Sequence, residues 1–301
     1  MEENDFGHAL VPEIAMNELG DVIVVWLQRE GTHNQIHSRR FQGGVWQEIE
    51  PVESIIDHAT EAKVTLNSTG TAVVVWKQKE NSILSIWVRQ FNPVQGWSSA
   101  RTIENSAVSA FEPSIALNDN GDIVVAWLQA DSDNGNFSDN VWANYRLNGT
   151  WSEAVELESD KVNDAGEFGP PQAAINNNGK GVVVWNIDDG NTQTDIYANQ
   201  ISLGNSWSEP ILLADNSQYS RYPKVAIDLN DNVLVVWQET TSSFVSIFAC
   251  RFRASTGVWG LPNMINNGND DSFNPVIKTD LNGKAITGWI QNESVFVSIF
   301  N

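Results

Sequence analysis

The chain has 301 residues, of which 38 are Asp or Glu and 17 are Lys or Arg, so its formal net charge is −21. Phosphate contacts require clusters of Lys and Arg, and this charge therefore excludes nucleic acid and argues against anionic membrane surfaces as partners. Hydrophobic residues make up 41% of the chain and include 13 tryptophans, which is enough for a packed core and excludes global disorder.

One pattern occurs six times along the chain: a short apolar run, an Asn-x-x-Gly turn, and a Val-rich run that ends in tryptophan. The clearest copy runs from Pro113 to Gln129, with Asn118, Gly121 and Trp127 as landmarks. Internal periods of roughly fifty residues are typical of repeat architectures. The six tryptophans of the pattern are Trp26, Trp76, Trp127, Trp185, Trp237 and Trp289.

Each copy predicts β structure, because Val, Ile and Trp favour strands and a polar turn between two such runs favours a hairpin. A further element that begins and ends with an apolar residue follows the tryptophan, as in Ile36–Phe41 and Ile86–Phe91. A glycine shortly before another tryptophan, as at Gly96 and Trp97, then leads into a short fourth strand. Four antiparallel strands per repeat and six repeats predict an all-β fold, a six-bladed β-propeller.

We expect residues 1–301 to form a single propeller domain, since a propeller is one cooperative ring whatever its length. The predicted blades are residues 12–58, 59–109, 110–167, 168–219 and 220–271, with a sixth that combines 272–301 and 1–7. The sixth repeat ends at Asn301 without a fourth strand. We therefore expect the N-terminal segment to complete this blade, close the ring and remove a free sheet edge.

The connections between strands predict where a ligand binds. In an up-and-down blade the short, repetitive turns share one face, and the opposite face carries longer loops that differ between repeats. Variable loops on a rigid scaffold are frequent binding sites. We expect residues just before each first strand to surround the mouth of a central channel; the alternative is that they are ordinary polar residues around water. The candidate ligand-binding residues are His8, His58, Glu167, Tyr219, Arg221, Tyr222 and Asp271.

The residues that recur in every repeat are interpreted as scaffold. The repeated tryptophans are expected to pack one blade on the next, with sugar stacking as the alternative. The Gln that usually follows each tryptophan, such as Gln78, is expected to satisfy backbone groups at a strand end. The single cysteine, Cys250, excludes an intrachain disulfide and is interpreted as a small core residue.

A polar loop places carboxylates at Asp131, Asp133 and Asp139. Oxygen-rich loops of this kind can hold calcium, although the spacing departs from the EF-hand, which requires Gly at the sixth position and an acid at the twelfth. Calcium is therefore the one candidate ion, a solvated polar loop is the alternative, and we expect no other cofactor.

Three resemblances follow from these motifs. Ser220–Pro223 resembles the Arg-Ile-Pro motif of sialidase-like propellers, and Leu147–Trp151 is similar to a fragment of their Ser-x-Asp-x-Gly-x-Thr-Trp box. The repeat number and length resemble six-bladed fucose-binding lectins. The Pro-x-Ile-Ala-x-Asn-x-x-Gly units most nearly resemble exported bacterial repeat proteins. These resemblances imply a propeller fold and an extracellular, periplasmic or cell-surface location. The sequence itself contains neither a recognisable signal peptide nor an apolar run long enough to span a membrane.

Three functions remain open. The leading hypothesis is a monomeric, lectin-like binding module without catalytic activity, which recognises a glycan or a protein through the variable face. The second is a glycan-active hydrolase or lyase with a central site built from carboxylates such as Glu167, Asp271 or Asp164 together with His58, because paired carboxylates can act as acid and base. The third is a structural interaction domain of a larger surface protein.

Overall fold

The structure is a computed structural model. The residues that it describes are 8–30, 33–53, 58–80, 82–105, 107–130, 139–158, 164–165, 169–188, 193–214, 219–280 and 283–300. This part of the chain contains 28 β-strands and no helix. Hydrogen bonds group the strands into five sheets, of five, five, five, ten and three strands. The prediction of an all-β fold is therefore confirmed, whereas six separate blades and a closed ring stay predictions.

Two compact units make up the chain. Unit 1 comprises Met1–Gln129 and Asn144–Ala154, and unit 2 comprises Ala130–Ala143 and Val155–Asn301. The division passes through the third repeat, and the expectation of one domain over the whole chain stays a prediction. Among the described residues, no helix has the length and apolar character needed to cross a membrane.

The strands follow the sequence repeats, with three long strands and two short ones in the first two repeats. The first repeat contains β1 (Ala9–Met16), β2 (Val22–Glu30), β3 (His33–Gln42), β4 (Val45–Trp46) and β5 (Glu50–Pro51). The second repeat contains β6 (Thr60–Leu66), β7 (Ala72–Glu80), β8 (Ile83–Asn92), β9 (Gly96–Trp97) and β10 (Arg101–Thr102). The third repeat, which both units share, contains β11 (Ala110–Leu117), β12 (Ile123–Ala130), β13 (Asp139–Leu147), β14 (Thr150–Trp151) and β15 (Val155–Glu156).

The remaining strands belong to unit 2. The fourth repeat contains β16 (Asp164–Ala165), β17 (Gln172–Ile175), β18 (Lys180–Asp188), β19 (Thr194–Ser202) and β20 (Ile211–Ala214). The fifth contains β21 (Tyr219–Ile227), β22 (Val233–Thr240), β23 (Val245–Arg253), β24 (Val258–Trp259) and β25 (Asn263–Met264), and the sixth contains β26 (Ser272–Thr279), β27 (Ala285–Gln291) and β28 (Ser294–Phe300).

The fourth strand of a repeat is shorter than predicted. In the first repeat the order is β1-β2-β3, and the two-residue strands β4 and β5 both pair with β3. The same holds for β9 and β10 on β8. In unit 2 the ten-stranded sheet contains two successive repeats that are joined by one parallel pairing, between Thr194 and Tyr219.

The Asn-x-x-Gly motif forms the turn between the first two strands. Asn17 Oδ1 accepts hydrogen bonds from the backbone N–H groups of Leu19 and Asp21, at 3.1 and 3.0 Å. Gly20 has a φ of 81°, a left-handed conformation that favours glycine. The Nδ2 atom of Asn17 donates to the carbonyl oxygen of Asn67, the equivalent turn residue of the next repeat, at 3.0 Å. Equivalent links join Asn67 to Asn118 at 3.1 Å and Asn176 to Asp228 at 2.8 Å.

The repeated tryptophans lie in the core, so their predicted packing role is confirmed. Trp76 is fully buried and packs in one cluster with Ile23 and Val25 of the preceding repeat. Its indole Nε1 donates to Gln78 Oε1 at 2.8 Å, a role that the sequence did not suggest for this Gln. The same bond joins Trp26 to Gln28 at 3.2 Å and Trp127 to Gln129 at 3.1 Å.

Candidate functional site

The positions predicted to surround a channel mouth contact the preceding repeat at the beginning of its third strand. The ring of His58 lies 5.3 Å from that of His33, and Asp271 Oδ1 accepts a hydrogen bond from the backbone N of Val245 at 2.8 Å. Tyr219 pairs with Thr194, which begins β19. These positions therefore link neighbouring repeats, and a channel mouth stays a prediction. His8 is exposed, and Glu167 lies outside the described residues.

The predicted calcium loop falls largely outside the described residues. Asp131 and Asp133 belong to 131–138, and Asp139 begins β13. Among the residues that the structure does describe, no group of three His, Cys, Asp or Glu side chains is placed to hold a metal ion. Calcium binding at this loop stays a prediction.

Three of the predicted residues meet at a cavity of about 360 Å³ in unit 2, which we call the tyrosine cavity. The guanidinium carbon of Arg221 lies 4.6 Å from the ring centroid of Tyr219, a distance at which a cation and an aromatic face attract each other. Val245, the residue whose backbone N donates to Asp271, is also part of the cavity lining. The residues of the lining used below are Tyr219, Arg221, Tyr222, Gln238, Phe273 and Asn274.

The tyrosine cavity combines exposed aromatic faces with fixed polar groups. Tyr222 and Phe273 remain 42% and 40% exposed, so both rings are open to an incoming ligand. Gln238 is buried, and its Oε1 accepts from the backbone N of Asn274 at 2.6 Å. Aromatic faces stack on the apolar faces of sugar rings, and a guanidinium offers donors to hydroxyl or carboxylate oxygens.

A β-bulge recurs in the first strands, just before the Pro of the repeat or its equivalent. The register of β6 on β7 shifts between Thr60 and Lys63, and the bulged residue Glu61 has a φ of 54°. Non-glycine residues rarely adopt this left-handed region, and such strain concentrates at functional sites. The bulged residues with positive φ are Val11, Glu61, Glu112, Tyr222 and Asn274.

Two of these bulged residues, Glu61 and Glu112, form a carboxylate pair in unit 1. Glu61 Oε2 accepts a hydrogen bond from the backbone N of Glu112 at 2.7 Å, and Glu61 Oε1 is paired with the ammonium group of Lys77. The neighbouring Lys63 is paired with Glu13. Glu112 Oε2 is buried and has no hydrogen-bond partner within the described part of the chain.

The environments of the two carboxylates differ. Burial raises the pKa of Glu112, and the negative charge of Glu61 raises it further, while Lys77 and Lys63 act in the opposite direction. Glu61, in contrast, has both oxygens occupied by donors. A carboxyl group with a raised pKa next to a carboxylate whose charge is compensated by donors is an arrangement suited to acid–base chemistry.

This carboxylate pair was not among the site residues predicted from the sequence. Glu61 and Glu112 occupy the same position of the first strand in the second and third repeats, and Val11, Pro170, Tyr222 and Asn274 occupy it in the others. A carboxylate that recurs at one position in two successive repeats was the available signal. The predicted site residues, His58 and its equivalents, stand three residues earlier in the chain.

Comparison with known proteins gives matches among solved structures only. No protein-family model and no curated protein sequence matches the chain. An α-L-arabinanase of Penicillium chrysogenum, solved with arabinobiose, is 14% identical over 97% of this chain and 93% of its own, with a TM-score of 0.55. A GH93 α-L-arabinofuranosidase of Fusarium graminearum, also with arabinobiose, is 11% identical over 99% and 95%, with a TM-score of 0.56.

A third solved structure is a polysaccharide lyase, a PL25 ulvan lyase bound to -[GlcA(1-4)Rha3S]-. It is 9% identical over 99% of this chain and 79% of its own, with a TM-score of 0.60. The predicted resemblance to exported bacterial repeat proteins has no sequence match behind it and stays a prediction. At these identities the likeness shows the fold alone, which is all-β and of propeller type, and the structural neighbours that share it are glycan-active hydrolases and lyases.

Proposed function

We propose that the protein is a glycan-active enzyme in which Glu61 and Glu112 catalyse the hydrolysis of a glycosidic bond. The observation that carries the proposal is the different environment of the two carboxyl groups, since burial and Glu61 raise the pKa of Glu112. Glu112 would donate a proton to the leaving glycosidic oxygen and recover it from the attacking water. Glu61 would stabilise positive charge at the anomeric carbon or orient that water.

The tyrosine cavity supports a saccharide as ligand. Tyr222 and Phe273 present exposed rings, and the guanidinium group of Arg221 is held against Tyr219 in the cavity lining. We propose that this cavity binds part of a glycan chain. The fold comparison is consistent with the proposal, since two of the hydrolase structures among the neighbours were solved with arabinobiose.

A non-catalytic binding module is the second candidate. The observation that favours it is the composition of the tyrosine cavity, whose described lining consists of aromatic, amide, hydroxyl, aliphatic and guanidinium side chains without a carboxylate. In that case the glycan would bind there and leave unchanged. A ligand of protein nature and a structural role within a larger surface protein are further outcomes of the same experiment.

The experiment is to incubate the purified protein with a panel of polysaccharides and to measure both binding and products. New reducing ends report hydrolysis, and ultraviolet absorbance of unsaturated uronates reports a lyase. We expect Glu112→Gln to lower kcat by about 10²–10⁴-fold, the usual contribution of general acid catalysis, without weakening binding. The matched control is Glu13→Gln, which removes a carboxylate of the same cluster and should change kcat little.

Arg221→Ala and Phe273→Ala address the saccharide site separately. They should weaken glycan binding, because both residues line the cavity in which we propose that the saccharide binds. Binding without any product, unaffected by Glu112→Gln, would replace the enzyme by the binding module. Turnover that Glu112→Gln leaves intact would remove this residue from the reaction.

We further propose that the six repeats form six blades and that the N-terminal segment completes the sixth, in a monomeric protein exported by a bacterium. The apolar residues Val295, Val297 and Ile299 of β28 are exposed, and a pairing partner on this edge strand would protect them. Deleting residues 1–5 should lower the melting temperature and promote association. An unchanged melting temperature in a strictly monomeric variant would contradict the closure.

A further inference from the structure

A second cavity, of about 210 Å³, lies within unit 1 and is lined by three arginines. We call it the arginine cavity. Only 17 of the 301 residues are Lys or Arg, so three guanidinium groups around one small cavity are a marked local departure from the acidic composition. The lining used in the argument consists of Arg89, Arg101, Arg146, Ser98, Ser99 and Trp151.

Arg146 stands where the first, second, fifth and sixth repeats have a phenylalanine and the fourth has Ile201. It pairs with Trp151 in the same register in which Phe41 pairs with Trp46 and Phe91 with Trp97. In those repeats the two rings pack together, with centroids 5.4 and 5.5 Å apart. The fifth repeat has the same contact between Phe252 and Trp259 at 5.5 Å. The arginine therefore replaces a packing group of the scaffold and puts a cation in its place.

Arg101 is also peculiar to its repeat. It pairs with Val88 in β8, and the residues in the same register in the other repeats are acidic, apolar or an amide. Those residues are Glu50, Val155, Ile211 and Asn263. Ser99 likewise stands where the first and third repeats have Glu48 and Glu153. The lining of this cavity therefore has two cationic side chains, Arg101 and Arg146, where the other repeats have none, and Ser99 where the first and third repeats have a glutamate.

The three arginines differ in how many hydrogen bonds their guanidinium groups make within the protein. Arg89 donates to the carbonyl oxygens of Ser98 at 2.7 Å and Val52 at 2.6 Å, so it holds the scaffold. Arg101 is exposed and uses Nε for the carbonyl oxygen of Thr102 at 3.2 Å, which leaves its two terminal nitrogens as the remaining donors.

Arg146 is only partly compensated. Burial lowers the pKa of Arg146, and Asp122 opposes that effect. The two oxygens of Asp122 already accept hydrogen bonds from Asn118 Nδ2 and from the backbone N of Asn148, both at 3.2 Å. A half-buried guanidinium beside a carboxylate that already accepts two hydrogen bonds gains from a further anion, which would supply a negative charge and two neighbouring acceptor oxygens.

We propose that the arginine cavity binds an oxyanion group, a carboxylate or a sulfate, through Arg101 and Arg146. The volume fits one such group with part of the sugar ring that carries it, and Trp151 in the lining adds an aromatic surface. This inference does not rest on the proposed hydrolysis, because the carboxylate pair and this cavity share no residue. The group can be carried by an acidic saccharide or by a free anion, and the ligands below separate these sources.

The test is isothermal titration calorimetry with inorganic sulfate, a glucuronate oligosaccharide, a sulfated oligosaccharide and a neutral oligosaccharide of equal length. We expect the anionic ligands to bind, with an affinity that falls as salt is raised, and the neutral one not to bind at this site. If sulfate alone binds as tightly as the oligosaccharides, a free anion is the source. Glu112→Gln should leave all of these affinities unchanged, so failure of the proposed catalysis and failure of this site are distinguishable.

Arg146→Phe is the decisive variant, because it restores the residue that other repeats place against the tryptophan. It should keep the melting temperature at or above that of the parent and weaken anion binding by about tenfold to a hundredfold, the loss expected for a charge-assisted hydrogen bond. Lys79→Gln removes the same charge from an exposed site in unit 1 and should retain binding. Wild-type affinity for the anionic ligands in Arg146→Phe, or a loss of the same size for the neutral oligosaccharide in that variant, would overturn the proposal.

Discussion

Replacing two equivalent tryptophans by phenylalanine separates the value of the indole hydrogen bond from that of packing. Trp127 and Trp185 are 0% and 1% exposed, so the loss of apolar contacts is similar in both variants. Trp127→Phe also leaves Gln129 Oε1, on a buried side chain, without its donor. A stranded buried acceptor costs about 1–3 kcal/mol. Trp185 Nε1 has no partner among the described residues, so Trp185→Phe loses no bond. Trp127→Phe should therefore be less stable than Trp185→Phe by about 1–3 kcal/mol.

Thermal unfolding of the two variants side by side measures this difference. For a chain of this size about 1 kcal/mol corresponds to roughly 2–4 °C in Tm, so we expect Trp127→Phe to melt at least about 2 °C lower. The double variant Trp127→Phe/Gln129→Leu should recover most of the gap, because removing both partners leaves no stranded group. Equal melting temperatures for the two single variants would contradict this prediction. The stability that these tryptophans contribute would then come from packing alone.

Three further predictions concern single residues. Val11 is exposed and has a φ of 49°, so Val11→Gly should raise the free energy of unfolding by about 1 kcal/mol, whereas Ile14→Gly in the same strand should lower it. Burial raises the pKa of Cys250 to about 11, so thiol reagents should modify it at neutral pH only after unfolding; rapid modification of the native protein would contradict its burial. Burial raises the pKa of Glu112 in the folded protein above the pKa of about 4.3 that a glutamate has in the unfolded chain. The stability that Glu112 contributes is therefore fully present below the unfolded pKa and is lost as pH rises through the folded pKa. Glu112→Gln should therefore gain stability relative to the parent across that window, and the control Glu13→Gln should not, as pH-dependent denaturation would show.

The local parts of the fold could be predicted from the sequence. The turn at Asn17 and Gly20 depends on side-chain to backbone bonds within five residues and on one left-handed conformation, both of which leave a signature in residue type. The cluster of Tyr219, Arg221 and Tyr222 was also predictable, because the three residues are almost adjacent in the sequence and lie on one strand.

The carboxylate pair could not be predicted in the same way. Glu61 reaches the backbone of Glu112, which is 51 residues away in the chain, and the contact depends on how two repeats pack. Glutamate rarely adopts a left-handed backbone conformation, so the positive φ of Glu61 and of Glu112 could not be predicted from the residue type. The split of the fourth strand into β4 and β5 was missed for a related reason, since two-residue pairings carry no periodic pattern.

The links between turns have a consequence for how such a chain can grow. In each link the donor is an asparagine side chain of one repeat, and the acceptor is a main-chain carbonyl of the next, as for Asn17 with Asn67 and Asn67 with Asn118. A main-chain acceptor makes no demand on which side chain the following repeat contains. A duplicated or exchanged copy can therefore be joined to its neighbour as long as its turn keeps the same shape, while its variable positions remain free to acquire new chemistry, as Arg146 and Glu112 illustrate.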